Sequence, residues 1–200
     1  MKVPALILMI VFLSACASTP PSDPDDICAI FAEKNKWYKK ARKSKNRWGT
    51  PIPILMAITK QESGFQARAK PPRRKILGFI PGPRPASAYG YSQATDETWS
   101  VYKKSTGHWS ADRNKFGDAM NFIGWYNDQS YMKNKIAKTD AYHLYLAYHE
   151  GQGGFASRSY KKKKWLLDVA TKVSATTATY SKQLKRCEKK LNRGWFFGLF

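Results

Sequence analysis

The chain has 200 residues, of which 42% are hydrophobic and 14% are aromatic. This composition excludes an intrinsically disordered chain and predicts a packed globule. Lys and Arg outnumber Asp and Glu by 35 to 14, for a net charge of +21, and a field of that sign attracts polyanions.

The N-terminus has the features of an export signal. Lys2 precedes an apolar run over residues 3–13, which is too short to span a bilayer and is typical of a signal-peptide core. Leu-Ser-Ala-Cys16 follows and resembles the bacterial lipobox, which implies cleavage before Cys16 and lipidation of its side chain. The alternative is an ordinary signal peptide with an incidental cysteine. Ala17 after Cys16 implies, in a Gram-negative cell, the outer membrane facing the periplasm.

The expected organisation is therefore a signal peptide over residues 1–15, a lipidated Cys16 with a flexible Pro/Ser-rich tether over 16–25, one domain over 26–194, and an aromatic tail over 195–200. In this location the positive charge favours anionic envelope polymers and lipid head groups as partners, and nucleic acid is not expected. The basic runs Lys34–Arg47 and Lys161–Lys164 have a plainer alternative as solvated helix faces.

The apolar periodicity predicts helices and no strand, so the fold class is mainly α. A first helix starts at Asp25-Asp26 and runs to about Arg47. A second helix is capped by Thr50, has Pro51 in its first turn, and ends at Ser63-Gly64. The stretch 67–87 is rich in Pro and Arg and predicts a long loop. Further helices are expected over about 94–104, 114–137 and 140–149, followed by a long last helix.

Cys28 and Cys187 are the two cysteines of the predicted mature domain. An even pair in an exported protein permits a disulfide, which would join the first helix to the last one. Two buried free thiols are the alternative.

Glu62 is the most informative residue, because it is an acid at the end of an apolar helix. It lies seven, four and three residues after Leu55, Ile58 and Thr59, so it shares their buried face. Desolvation and the negative end of the helix dipole would both raise its pKa. A carboxyl group that stays protonated near neutral pH can act as a general acid. The alternative is a polar residue at a frayed helix end.

Three short motifs occur in order: ESGF at 62–65, AYGYSQ at 88–93 and AYHEG at 147–151. Together they resemble the lytic transglycosylase family of soluble type, whose domain (SLT) is lysozyme-like. The resemblance implies a single mainly α, lysozyme-like SLT domain with a long Pro/Arg-rich loop. It also implies that Glu62 is the catalytic acid and that Tyr148 reaches its carboxyl group. Residues at the other motif positions become candidate substrate-binding residues: Ser63 against the sugar, Gly90 and Gln93 in the cleft wall, and Tyr91 and His149 beside them.

The activity implied by this resemblance is non-hydrolytic cleavage of the β-1,4 bond between N-acetylmuramic acid (MurNAc) and N-acetylglucosamine (GlcNAc) in peptidoglycan, which leaves 1,6-anhydro-MurNAc ends. Such an enzyme is a carbon–oxygen lyase and needs no cofactor. No metal site is expected, because the three histidines lack the spacing of zinc ligands.

Tyr91, Ser92, His149 and Glu150 depart from the usual motifs, so alternatives stay open. A muramidase-type hydrolase would need a second carboxylate, for which Glu97, Asp118 and Glu150 are available. Glu150 has a plainer alternative as a solvated helix end. A non-catalytic peptidoglycan-binding lipoprotein and a polyanion-binding protein driven by charge alone are further alternatives.

Overall fold

A computed structural model describes residues 19–73, 75–76, 80–81, 83 and 86–193 of the chain. The predicted signal peptide, the lipidation site Cys16 and the aromatic tail lie outside these residues. Within the described residues, no helix is both long and apolar enough to cross a membrane.

The described part of the chain is mainly helical, which confirms the predicted fold class. Two strands of two residues each, Lys75–Ile76 (β1) and Ile80–Pro81 (β2), pair antiparallel inside the Pro/Arg-rich stretch, where no strand was expected. Seven α-helices and a 3-10 turn at Ser159–Lys162 make up the rest. The helices are α1 (Ile27–Glu33), α2 (Trp37–Trp48), α3 (Ile52–Ser63), α4 (Asp96–Thr106), α5 (Phe116–Asn134), α6 (Ala141–Ala156) and α7 (Lys164–Arg193).

The start of the domain differs from the prediction in two ways. The single helix expected up to Arg47 is two helices, because Lys34 leaves helical geometry with φ −103° and ψ 65°. Asp26 caps α1, and α2 begins again at Trp37, whose ring stacks on Phe116 at 3.8 Å between centroids. The predicted cap of α3 by Thr50 is also wrong. Pro51 is the N-cap without a side-chain bond, and the Thr50 hydroxyl is buried without a partner among the described residues.

Helix α3 lies in the middle of the core, and this position brings Glu62 to its functional place. Every residue from Ile52 to Thr59 is buried, against α7 on one side and α2 and α5 on others. A helix that is apolar all round is stable only when it is enclosed in this way. Its last turn leaves the core, so the acid stands where buried and accessible regions meet.

The N-terminal segment is attached to the domain earlier than expected. Cys28 and Cys187 form a disulfide that joins α1 to α7, with 6.0 Å between their Cα atoms. The backbone N–H of Ser22 donates to Glu33 at 2.8 Å, and the Gln183 amide donates to the Asp25 carbonyl at 3.0 Å. The prediction of a flexible tether up to residue 25 is therefore wrong for residues 22–25, because their polar groups bond to the helices.

Candidate active site

Glu62 lines a cleft of about 640 Å³. Helix α3 ends at Ser63, one residue after Glu62. Gly64 follows as the C-cap, in a left-handed conformation with φ 56° that favours glycine. The walls come from α4, α5, α6, the turn before α4 and both described ends of the Pro/Arg-rich stretch. The other lining residues are Pro71, Pro72, Ala86, Ala88, Gln93, Ala94, Thr95, Thr98, Phe122, Tyr126, Tyr148, His149, Glu150 and Gly151.

The environment of Glu62 favours its protonated form. Burial raises the pKa of its carboxyl group to about 7, and a hydrogen bond from the Tyr145 hydroxyl opposes this by stabilising the carboxylate. The pKa of Glu62 is raised, as its position on the helix predicts, and the main cause of the increase is desolvation. A group with a pKa of about 7 has a proton to give at neutral pH and can take one back.

The tyrosine that bonds the acid is Tyr145, and the prediction that Tyr148 does so is wrong. Tyr148 donates its hydroxyl to the Ser92 carbonyl at 2.6 Å, which joins α6 to the turn before α4. Burial and the nearby charge of Glu62 hold the pKa of Tyr148 well above its usual range, so the two groups are still close. Tyr145 and Tyr148 are three residues apart on one helix and share a face, and the motif drew attention to only one of them.

Gly90 and Gln93 shape the turn that forms one cleft wall. Gly90 has φ 74°, and a Cβ atom there would lie 2.2 Å from the Arg113 carbonyl oxygen, so only glycine fits. The Gln93 amide nitrogen donates to the carbonyls of Ala69 at 3.0 Å and Gly90 at 2.8 Å. Because both partners are acceptors, Oε1 is the side-chain atom left to accept a hydrogen bond from a ligand. Gln93 thus lies in the cleft as predicted.

Ser63 and Tyr91, which the sequence predicts to bind substrate, are not among the residues that line the cleft. The Ser63 hydroxyl is buried and lies 2.9 Å from the Tyr91 carbonyl, so it ties the end of α3 to the turn. The Tyr91 side chain is only 1% exposed and packs edgewise on Trp37 and Phe116. An aromatic residue replaces the usual apolar one at this position because the position belongs to the core.

Glu150 and His149 form the far wall, where Gly151 breaks the regular helix with φ 77° and ψ 165°. The Glu150 side chain is 4% exposed, so the alternative of a solvated helix end is wrong. Its Oε1 accepts from Lys163 at 2.8 Å and lies 3.1 Å from His149 Nδ1, and its Oε2 accepts from Ser159. Burial acts to raise the pKa of Glu150, but these bonds outweigh it and lower the pKa to about 2.

Two carboxyl groups of opposite character thus line the cleft in the described part of the chain. Burial raises the pKa of Glu62 to about 7, whereas at Glu150 hydrogen bonds and the charge of Lys163 outweigh burial and lower the pKa to about 2. Sequence reasoning missed Tyr145 and the Glu150–Lys163 pair, although the spacing of the tyrosines in α6 was a signal for the first. Among the described residues, no group of three or more His, Cys, Asp and Glu side chains comes together to hold a metal ion.

A helical fold with a buried acid of raised pKa in a cleft of about 640 Å³ defines a candidate enzyme of the general-acid type. A family model described as the transglycosylase SLT domain matches residues 4–187. The chain belongs to this family, and its fold is lysozyme-like. Its function is accordingly of the lytic transglycosylase type, acting on peptidoglycan. Neither a curated protein nor a solved structure matches the chain.

Proposed function

We propose that the protein cleaves the β-1,4 bond between MurNAc and GlcNAc without water and leaves 1,6-anhydro-MurNAc ends. The observation that carries this proposal is the state of the two cleft carboxyl groups. The pKa of Glu62 is about 7, whereas both oxygens of Glu150 are engaged by Lys163, Ser159 and His149. One residue is therefore free to move a proton, and a lytic transglycosylase needs only one.

In the proposed reaction Glu62 first donates its proton to the bridging oxygen, and the bond from that oxygen to C1 of MurNAc breaks. The acetamido group of the substrate stabilises the positive charge that develops at C1. Glu62 is now a carboxylate and is stabilised by the hydrogen bond from Tyr145. It takes the proton from the C6 hydroxyl, whose oxygen bonds to C1 and closes the anhydro ring. Glu62 regains its proton, so no water is consumed.

A hydrolase on the same fold is less well supported, because among the described residues no second carboxylate is suited to activate water. A carboxylate with a pKa of about 2 is a weak base. Glu97 is exposed on α4 and is not among the residues that line the cleft. Asp118 accepts the backbone N–H of Asp112 at 3.0 Å and also lies outside the lining.

Mass spectrometry of muropeptides released from purified peptidoglycan tests the proposal. The protein is expected to release anhydro-MurNAc products, the Glu62→Gln variant none, and the Glu150→Gln variant the same anhydro products. Reducing-end products that disappear in Glu150→Gln would show that the enzyme is a hydrolase. If the unchanged protein binds sacculi but releases no product, the non-catalytic alternative is correct.

We further propose that the protein is anchored by a lipid on Cys16 to the outer membrane, facing the periplasm. Thr19, three residues after Cys16, accepts a hydrogen bond from Lys34 at 3.4 Å, close to the start of α2. Helix α2 carries six Lys or Arg residues and no acidic residue. Such a surface suits anionic lipid head groups or envelope polymers. Incorporation of labelled palmitate that is lost in Cys16→Ala tests the anchor, and equal labelling of both proteins would contradict it.

A further inference from the structure

Trp165 is an exposed tryptophan next to the cleft. It lies in the first turn of α7, and 54% of its side chain is accessible to solvent. Its ring meets the ring of His149 edgewise, with 5.1 Å between centroids and an angle of 80°. His149 lines the cleft and Trp165 does not, so the indole adjoins the cleft through this ring contact. A single exposed aromatic residue is common on protein surfaces, so the contact with His149 is the observation that distinguishes this indole.

The position of this indole is fixed by its neighbours in the chain. Two residues before it, Lys163 is paired with the buried Glu150 at 2.8 Å. One residue after it, Leu166 is fully buried in the core. The backbone on both sides is therefore held, and the ring is presented to solvent from a rigid support. Pre-ordered aromatic surfaces bind with little loss of side-chain entropy.

The chemistry of the pair fits a sugar ring. A pyranose of β-1,4-linked glycan presents a face of C–H bonds, which are weakly positive, and the face of an indole is weakly negative. His149 adds a polar group at the edge: its Nδ1 faces Glu150 at 3.1 Å, so Nε2 is the ring nitrogen directed away from that bond and can meet a sugar hydroxyl.

We propose that Trp165 and His149 form an additional sugar-binding subsite at this end of the cleft, which takes a pyranose of the glycan strand at a distance from the cleaved bond. The proposal rests on the proposed function, because it assumes that the cleft holds glycan. The subsite contributes binding energy for long strands and takes no part in proton transfer. Strand length therefore becomes a determinant of substrate preference.

Another tryptophan provides a matched control. Trp109 is 67% exposed, and it follows His108, whose ring lies 2.9 Å from the guanidinium of Arg47 on α2. Like Trp165 it does not line the cleft, but the contact that links Trp165 to a lining residue is its ring contact with His149, whereas Trp109 follows a histidine bonded to α2. Replacing it removes an exposed indole of the same size without changing the α6–α7 wall.

The test measures the affinity of the inactive Glu62→Gln protein for purified uncross-linked glycan strands and for a single GlcNAc-MurNAc disaccharide. Adding Trp165→Ala is expected to weaken strand binding about 10-fold and to leave disaccharide binding unchanged. Trp165→Phe is expected to weaken strand binding less than Trp165→Ala does, and Trp109→Ala is expected to leave strand binding unchanged. In the active protein, Trp165→Ala should raise KM for strands with kcat retained.

Equal strand affinity of the Trp165→Ala and Trp109→Ala proteins would overturn the subsite while leaving the proposed function intact. If the Glu62→Gln parent does not bind strands and the unchanged protein releases no anhydro product, the proposed function and the subsite both fail. A fall in kcat with unchanged KM would also overturn the subsite, because it would place Trp165 in the chemical step.

Discussion

Replacing Glu62 by Gln should make the folded protein more stable at neutral pH. The ordinary pKa of a glutamate is 4.5, and burial raises that of Glu62 to about 7. Between these values the folded protein keeps a proton that the unfolded chain has lost, so the stability of the unchanged protein falls as pH rises through this window. Gln has no proton to lose and can still accept the hydrogen bond from Tyr145. The stability of the variant relative to the unchanged protein should therefore begin to rise above pH 4.5, and the difference should be largest above pH 7.

The size of the effect follows from the two pKa values. The interval from 4.5 to about 7 corresponds to roughly 3 kcal/mol at about 1.4 kcal/mol per pKa unit. For a domain of this size that difference raises Tm by roughly 8 °C. Below pH 4.5 the carboxyl group is protonated in both states, and the two proteins should have similar stability.

Thermal unfolding of both proteins from pH 4 to pH 8.5 at constant ionic strength measures this difference. Glu150→Gln is the control of opposite sign. The pKa of Glu150 is lowered to about 2, so its stabilising effect is present above pH 4.5 and is lost as pH falls toward 2. That variant should be less stable at neutral pH, and the gap should narrow in acid. A constant advantage of Glu62→Gln at every pH would refute the reasoning.

Three other tests by substitution have definite expected outcomes. Tyr145→Phe removes the hydrogen bond that stabilises the Glu62 carboxylate, so the pKa of Glu62 should rise. The basic limb of the profile of kcat/KM against pH should then move up by about one pH unit. An unmoved limb would contradict the hydrogen bond between Tyr145 and Glu62. Gly90→Ala should lower the free energy of unfolding by roughly 3 kcal/mol, because the new methyl group would collide with the backbone of Arg113. Gly64→Ala should lower it by only about 1 kcal/mol, because Gly64 has a positive φ but open space around it. Chemical unfolding of both variants measures the difference. Replacing Cys28 and Cys187 by serine should lower the free energy of unfolding by up to about 5 kcal/mol, because the two cysteines are 159 residues apart in the sequence. Equal Tm values for the proteins with and without the disulfide would show that the disulfide does not stabilise the fold.

Local pattern was enough to predict the acid but not its partners. The helical period placed Glu62 on the buried face of α3, and burial is the larger cause of its raised pKa. The choice between Tyr145 and Tyr148 depends on where the turn before α4 crosses α6, because the Ser92 carbonyl takes the Tyr148 hydroxyl. No periodicity within one helix contains that information.

Two of the predicted substrate-binding residues lie behind the cleft wall for a common reason. Ser63 and Tyr91 belong to motifs that surround the cleft, but a short motif includes both residues that face the ligand and residues that hold the turn. Their side chains are 8% and 1% exposed, so they support the cleft from behind. Gly90 and Gln93 shape the turn in the cleft wall, because backbone conformation and carbonyl partners constrain these positions directly.

The two causes that act on Glu62 explain how a single residue could serve as acid and base in the proposed reaction. An ordinary carboxyl group has lost its proton at neutral pH and could not start bond cleavage. Burial raises the pKa of Glu62, so that a fraction of the protein molecules keeps this proton at neutral pH. The hydrogen bond from Tyr145 stabilises the carboxylate that must act as the base in the second step. Glu150 cannot share this work, because Lys163 fixes it in the ionised form. A cleft with one carboxyl group of raised pKa and one ion-paired carboxylate is therefore what the proposed ring closure requires.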